Sequence, residues 1–251
     1  IGENGFKGIR ISTRPDAVDS EICDILEKYH VTAVELGAQS TNDKVLAMNR
    51  RGHTREDIFR SARLLKERGF ELGLQMMTGL YGSNDEDSIG TARDIISLSP
   101  DTARIYPTVV IENTELAELY RNGEYRPQTP EEAAVLCAKI LPMFERAGIK
   151  VIRLGLHSGG DVEGSFVAGA YHPALREMCE GHIYFDIINR ALSGKEKGKY
   201  IIYVAPREVS KASGQRRCNI EKLRELGYEC RIKENAALSA RDITLEKVNL
   251  L

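Results

Sequence analysis

Residues 31–77 read VTAVELGAQSTNDKVLAMNRRGHTREDIFRSARLLKERGFELGLQMM, and the order of elements inside this stretch decides the fold. Its first six residues, VTAVEL, are an apolar, β-branched run of strand length. Thr54 stands three residues before Asp57, a capping-box variant with Asp in place of Glu or Gln, so a helix is predicted to begin there. Gly69 supplies its stop. The stretch closes on ELGLQMM, residues 71–77, a second strand. Strand, helix and strand in this order predict parallel pairing through a right-handed crossover.

The same alternation extends in both directions. Residues 7–12 (KGIRIS) read as a strand, and Ile22, Ile25, Leu26 and Tyr29 recur at helical spacing after it. Downstream come a helix over 86–98 closed by Pro100, and a strand over 102–106. Thr129, Pro130 and two glutamates then start a helix that runs to about Ala147 with Gly148 as its stop. Residues 150–154 (KVIRL) are a further strand. The product is part of a β/α barrel or an open doubly wound sheet. The tail is read as a helix over 180–192, strands over 199–205 and 228–233 and a short helix over 219–226, a small C-terminal α/β extension.

Composition excludes several classes. Across 251 residues, 35 Lys and Arg face 37 Asp and Glu, which argues against a wholly basic nucleic-acid binder and against a polyanionic tail. With 42% hydrophobic and 29% charged residues, a disordered chain is excluded as well. Cys23, Cys137, Cys179, Cys218 and Cys230 are separated by 114, 42, 39 and 12 residues, too far apart for a C-x-x-C clamp. A reduced, cytoplasmic setting is expected. No apolar run approaches the ~20 residues that span a bilayer, so no membrane partner is expected. Between residues 194 and 217, seven Lys or Arg face two Glu. That stretch reads as a solvated surface or, with Tyr200 and Tyr203 interleaved, as an RNA-binding module.

In parallel β/α architectures reactive groups gather at the carboxyl ends of the strands. Those ends offer Ser12, Thr13 and Arg14, then Glu35 and Gln39, Gln75 and Thr78, Arg104 and Tyr106, and Arg153 and His157. Polar groups on strands buried on both faces cost roughly 1–3 kcal/mol each when unpaired. Any one of them has an internal explanation: Glu35 could bridge to Arg10 or Arg104, and Gln75 could satisfy a carbonyl. Six or more at equivalent places call for a ligand. The run Gly79-Leu80-Tyr81-Gly82 has neither Walker nor dinucleotide spacing, and His53 stands just before a helix start where cations could meet an anion.

Taken together, the runs Gly8-Ile-Arg-Ile-Ser-Thr-Arg-Pro-Asp16, Val34-Glu-Leu-Gly-Ala-Gln-Ser40, Arg50-Arg-Gly-His-Thr54, Leu74-Gln-Met-Met-Thr-Gly-Leu80 and Arg104-Ile-Tyr-Pro-Thr108 resemble the radical S-adenosylmethionine enzymes. The similarity is greatest to the branch of the elongator catalytic subunit and its bacterial relatives, often labelled as like oxygen-independent coproporphyrinogen III oxidase. It spans about residues 6–160. The resemblance implies a partial TIM-like (β/α) barrel of parallel strands over residues 1–160, missing its first units, with the α/β extension over 161–251.

The resemblance also assigns roles. Gln39 matches the glutamine that contacts the ribose of S-adenosylmethionine, Arg51 the basic residue near the methionine carboxylate, and Gln75 a residue facing the ribose hydroxyls. Ser12 stands where many relatives have Glu. Ser12, Arg14, Glu35, Gln39, Arg51, Gln75 and Arg104 are thus the expected cofactor-binding set, with no metal ligand and no catalytic residue identified. The family's [4Fe-4S] cluster is held by C-x-x-x-C-x-x-C, which this sequence does not contain. The resemblance implies that this motif and a Gly-Gly-Glu-type segment precede residue 7 in an intact parent, that the piece alone is inactive, and that an exposed barrel edge favours self-association. S-adenosylmethionine is the implied partner, with tRNA or RNA as substrate. Coproporphyrinogen decarboxylation follows only from the relatives' label, and the ~90 residues after Gly160 are too few for an acetyltransferase domain.

Overall fold

The computed structural model describes residues 7–156 and 164–248 together with Gly5; His157 lies outside the described residues. Two compact units divide the chain after Pro173.

The first unit follows the predicted alternation. In order it contains β1 (Ile9–Thr13), α1 (Ser20–Lys28), β2 (Val31–Gln39), α2 (Asp43–Met48), α3 (Arg55–Glu67), β3 (Glu71–Thr78), α4 (Asp85–Ser97) and β4 (Thr102–Pro107). There follow β5 (Val109–Ile111), α5 (Glu115–Arg121), α6 (Pro130–Arg146), β6 (Lys150–Leu154) and β7 (Phe166–Gly169). The main sheet is all parallel in the order β1-β2-β3-β4-β6, an α/β arrangement with β1 at one edge and Ile9 42% exposed there.

Local chemistry sets the helix starts. Thr54 and Asp57 form the predicted capping box on α3, and Thr129 with Glu132 forms one on α6. Asn84 with Asp87 caps α4 in the same way, a signal that moves its start back to Asp85. The strands alternate. Leu72, Leu74 and Met76 of β3 and Ile105 of β4 are buried, on the side where α3 brings Ile58, Ala62 and Leu65 and α4 brings Ala92 and Ile95. This apolar layer is the core. The opposite face of the sheet carries Glu35, Gln75 and Arg104.

β5 and β7 are short and pair with each other antiparallel, with Val110, Ala117 and Tyr125 forming a satellite core. That pairing ties residues 166–169 to the first unit.

The second unit holds α7 (Leu175–Leu192), β8 (Gly198–Val204), α8 (Val209–Ser213), α9 (Cys218–Glu225), β9 (Tyr228–Glu234) and β10 (Ile243–Lys247). Its sheet order is β10-β8-β9, with β9 parallel and β10 antiparallel to β8. Tyr200, Ile202 and Val204 point into a core with Tyr184, Ile188, Leu223 and Tyr228. Tyr200 therefore does not serve as a surface stacking platform: it is buried, edge-on to Tyr228, with its hydroxyl donated to the Glu196 carbonyl.

Candidate functional site: a polar sheet face with an arginine lacking a counter-ion at its rim

The face of the parallel sheet turned away from the helices is polar. Register places Ser12 beside Glu35, Glu35 beside Gly73, Gly37 beside Gln75, Gln75 beside Arg104, and Arg104 beside Arg153. Because side chains alternate along each strand, these residues share one surface with Tyr106 and Met77.

Glu35 is the centre of that surface. At 1% exposure its carboxylate accepts from Arg104 Nη2 at 2.7 Å, Arg10 Nη1 at 3.2 Å and Gln75 Nε2 at 2.9 Å. Arg10 also pairs with Glu71, and Arg104 donates to the Tyr106 hydroxyl at 3.2 Å. These partners raise both guanidinium pKa values, Arg104 chiefly through Tyr106 and Arg10 chiefly through Glu71. A charge so deeply buried requires such pairing. Room for it comes from Gly73, where a Cβ would lie 2.7 Å from Glu35 Cγ. Glu35, Gln75 and Arg104 thus come together in one network around the Glu35 carboxylate, in which the buried Arg104 Nε, like that of Arg51, has no partner. Gly73 and Arg10 complete it; a glycine inside an apolar strand was the signal for the first.

The carboxyl-end rim differs. A bulge between Gly37 and Gln39 interrupts the β2–β3 register, and Gln39 sits there in the left-handed region at φ 64°. Its buried side chain folds back over Gly37, where a Cβ would lie 2.8 Å from Gln39 Nε2. Past α2 the chain makes the Arg51-Gly52-His53 turn. His53 is buried with Nε2 3.1 Å from the Ala38 carbonyl, and its Nδ1 has no partner. Arg14 lies across Gly52, where a Cβ would lie 2.6 Å from Arg14 Nη2, and it pairs with Asp16. Gly52 has φ 75°, so glycine is needed there twice over.

Arg51 stands in this rim with no acidic partner among the described residues, and its buried Nε donates to nothing. Burial, and then the neighbouring Arg14, push its guanidinium below its ordinary value. Ser12, on the edge strand, is exposed. Arg14, Gln39 and Arg51 therefore gather at the rim, Ser12 at the edge, and Glu35, Gln75 and Arg104 in the floor.

The profile of the Radical SAM superfamily matches residues 2–95, and that of the Radical_SAM C-terminal domain matches residues 100–184. The chain belongs to the radical SAM superfamily. Its members use S-adenosylmethionine and a [4Fe-4S] cluster. The radical SAM chain is 36% identical over 142 residues to the tRNA uridine(34) acetyltransferase of Methanocaldococcus jannaschii, covering 54% of this chain and 26% of that protein. It is 34% identical over 146 residues to Elongator complex protein 3 of Homo sapiens, covering 54% of this chain and 25% of that protein. The match thus spans about a quarter of these relatives. Among solved structures it resembles the archaeal Methanocaldococcus infernus Elp3 with an N-terminal deletion, at TM-score 0.60 and 27% identity, over 71% of this chain and 46% of that one. That likeness agrees with the parallel five-stranded α/β sheet of the first unit.

The two family cofactors fit these residues differently. A half-buried cation with no counter-ion and an unengaged glutamine amide suit a hydrogen-bonding ligand that carries a carboxylate, such as S-adenosylmethionine. The cluster has no fit: the sequence lacks its three-cysteine motif, and no group of three metal-ligating side chains occurs among the described residues. Cys23, Cys137, Cys179 and Cys230 are buried, and burial pushes the Cys137 thiol up to about 12 and that of Cys230 to about 11. No helix among the described residues is long and apolar enough to cross a membrane.

The glycine run after β3 lines a separate groove of about 600 Å³ with Asp85, Glu124, Glu131 and Glu132 in its wall. Those carboxylates make it a poor phosphate site.

Proposed function

We propose that the polar face of the first unit's sheet and its rim bind the S-adenosylmethionine of a radical enzyme that modifies tRNA. S-adenosylmethionine supplies the radical chemistry of the superfamily when it is reduced. The described residues offer no ligand set for the cluster. Arg51 carries the reading. A guanidinium that is half-buried, beside Arg14 and without a carboxylate, is stabilised when an anion joins it, and the methionine carboxylate is the anion this cofactor offers. Gln39, freed by the bulge and aimed over Gly37, is placed to hydrogen-bond a ribose hydroxyl. Gln75 has one amide hydrogen committed to Glu35 and its carbonyl oxygen left to accept. Ser12 and Arg14 flank the same mouth. Glu35 and Arg104 act from beneath, by fixing Gln75.

The choice of tRNA as substrate is supported by the names of two relatives, a tRNA uridine(34) acetyltransferase and an elongator subunit, each matched over a limited segment. Acetyl transfer itself has no assigned residues here.

The test compares S-adenosylmethionine with its decarboxylated analogue by isothermal calorimetry, on the wild-type chain and on Arg51→Gln. A charge-assisted pair is worth about 1.5–3 kcal/mol. Arg51→Gln should therefore weaken S-adenosylmethionine by roughly 10- to 150-fold and leave the decarboxylated analogue almost unchanged. Equal losses for both ligands, or none, would overturn the assignment.

A further inference from the structure

The connection from β8 to β9 is two short helices, α8 and α9, joined by a four-residue turn, Gly214-Gln215-Arg216-Arg217. The turn is anchored from below. Gly214 is buried at φ 75°, and a Cβ there would lie 2.7 Å from Cys218 Sγ and 2.8 Å from Asn219 Cγ. Asn219, 1% exposed, donates to the Ala212 carbonyl at 3.1 Å and to the Gly181 carbonyl of α7 at 2.8 Å. The Arg217 amide closes back on the Gly214 carbonyl at 2.9 Å.

What the anchored turn presents is charge. Arg216 and Arg217 are consecutive left-handed residues at φ 52° and 65°, both exposed. Arg207, at φ 69°, follows the carboxyl end of β8. Since β8 and β9 are parallel and α9 leads back to the start of β9, the turn sits at that same end of the sheet. The guanidinium groups of Arg207, Arg216 and Arg217 have no acidic partner among the described residues, although the Arg207 backbone amide donates to the Glu234 carboxylate at 2.8 Å. Other cations of the unit do: Lys199 pairs with Glu229, Lys211 with Glu208 and Lys247 with Glu196. Of the seven cations read in residues 194–217, Lys199 and Lys211 are ion-paired, Lys197 lies over the Tyr228 ring, and Arg207, Arg216 and Arg217 stand together at the carboxyl end of the sheet.

A Gly-x-x-Gly turn between two helices is the device by which KH folds clamp the backbone of about four nucleotides. In this chain position 217, where the second glycine would stand, is an arginine with a glycine-like backbone. We propose that the 214–217 turn, with Arg207, is a clamp for the phosphodiester backbone of single-stranded RNA. The phosphate-strand reading comes from Arg216 and Arg217, exposed on the anchored turn, with Arg207 at the same end of the sheet. That the strand is RNA rests on the proposed function.

The test is fluorescence anisotropy of the whole 251-residue chain with a labelled mixed-sequence single-stranded RNA dodecamer, its deoxy counterpart and an RNA duplex, across KCl concentrations. Arg216→Gly/Arg217→Gly keeps the left-handed backbone and removes two charges. With a slope of about −0.7 per phosphate contact, it should flatten log K against log salt by about 1.4, equivalent to a loss of roughly 25-fold at 0.1 M. Arg216→Lys/Arg217→Lys should keep the wild-type slope, and Arg93→Ala on α4 should change affinity less than about twofold. An unchanged slope in the glycine variant, a slope lost in the lysine variant, or equal weakening by Arg93→Ala overturns the clamp. Duplex bound as tightly as single strand overturns it as well. Equal binding of the deoxy strand overturns only the commitment to RNA. Because the S-adenosylmethionine calorimetry reads the other unit, the two proposals fail separately.

Discussion

Glu35→Gln removes the one carboxylate that Arg10, Arg104 and Gln75 share. The side-chain volume is preserved, so the effect is electrostatic. In the wild type three donors converge on two carboxylate oxygens at 2.7, 2.9 and 3.2 Å. In the variant one oxygen remains, and the new NH2 group faces either a guanidinium or the Gln75 amide, donor against donor. Breaking a fully buried pair costs about 3–5 kcal/mol. Here Arg10 and Arg104 are 36% and 29% exposed and Arg10 keeps Glu71, so water and that second partner reduce the loss to about 2–3 kcal/mol. The assay is native-state hydrogen exchange, which reads the two units separately. Amides of β2, β3 and β4 should exchange roughly 30- to 150-fold faster, while those of β8 and β9 should not change. Arg104→Met introduced into the Glu35→Gln background should cost much less than in the wild type. An acceleration below about threefold in β2–β4, or additive effects of the two substitutions, would refute the shared-carboxylate network.

Gly73→Ala forces a Cβ to within 2.7 Å of Glu35 Cγ and should destabilise the first unit by about 1–3 kcal/mol, measured by urea unfolding, whereas Gly90→Ala in α4, where a Cβ meets nothing, should stabilise it by about 0.5–1 kcal/mol. Asp94 is bound through both oxygens by Arg55, which holds its carboxyl below the ordinary 3.8. A depressed folded value stabilises above 3.8 and fades as pH falls through the lower folded value, so the melting-temperature gap between wild type and Asp94→Asn should be present at pH 6, correspond to at most about 1 kcal/mol, and close in acid. Among the cysteines, only Cys218 is partly exposed; iodoacetamide should label it in the native chain, with Cys137 and Cys230 reacting only after unfolding.

Local signals and long-range pairing divide what was legible in the residues. The βαβ core was readable because each boundary has a local chemical cause: Thr54 with Asp57 at the start of α3, Gly69 at its end, Thr129 with Glu132 at the start of α6. Glu35 was legible as a charge on a buried strand, and its internal bridge to Arg10 and Arg104, the less functional of its two readings, is the geometry found. The strands β5, β7 and β10 had no comparable signal. β5 is three residues long, and its partner lies beyond α6, so only tertiary pairing defines it. The bulge that turns Gln39 was equally hidden, being a property of two strands rather than one. Tyr200 shows a missed periodicity: in KYIIYV, positions 200, 202 and 204 alternate with 201 and 203, which already sends Tyr200 inward and Tyr203 outward.

Arg51 bears the central claim, and its Nε–H can be observed directly. In a nitrogen-15 spectrum of the chain, assigned by loss of one guanidinium signal in Arg51→Lys, addition of S-adenosylmethionine should shift the Arg51 Nε–H downfield as its orphaned donor finds a carboxylate. The decarboxylated analogue should leave it in place. If S-adenosylmethionine shifts other signals while the Arg51 Nε–H stays at its unliganded position, the cofactor is held somewhere other than this rim.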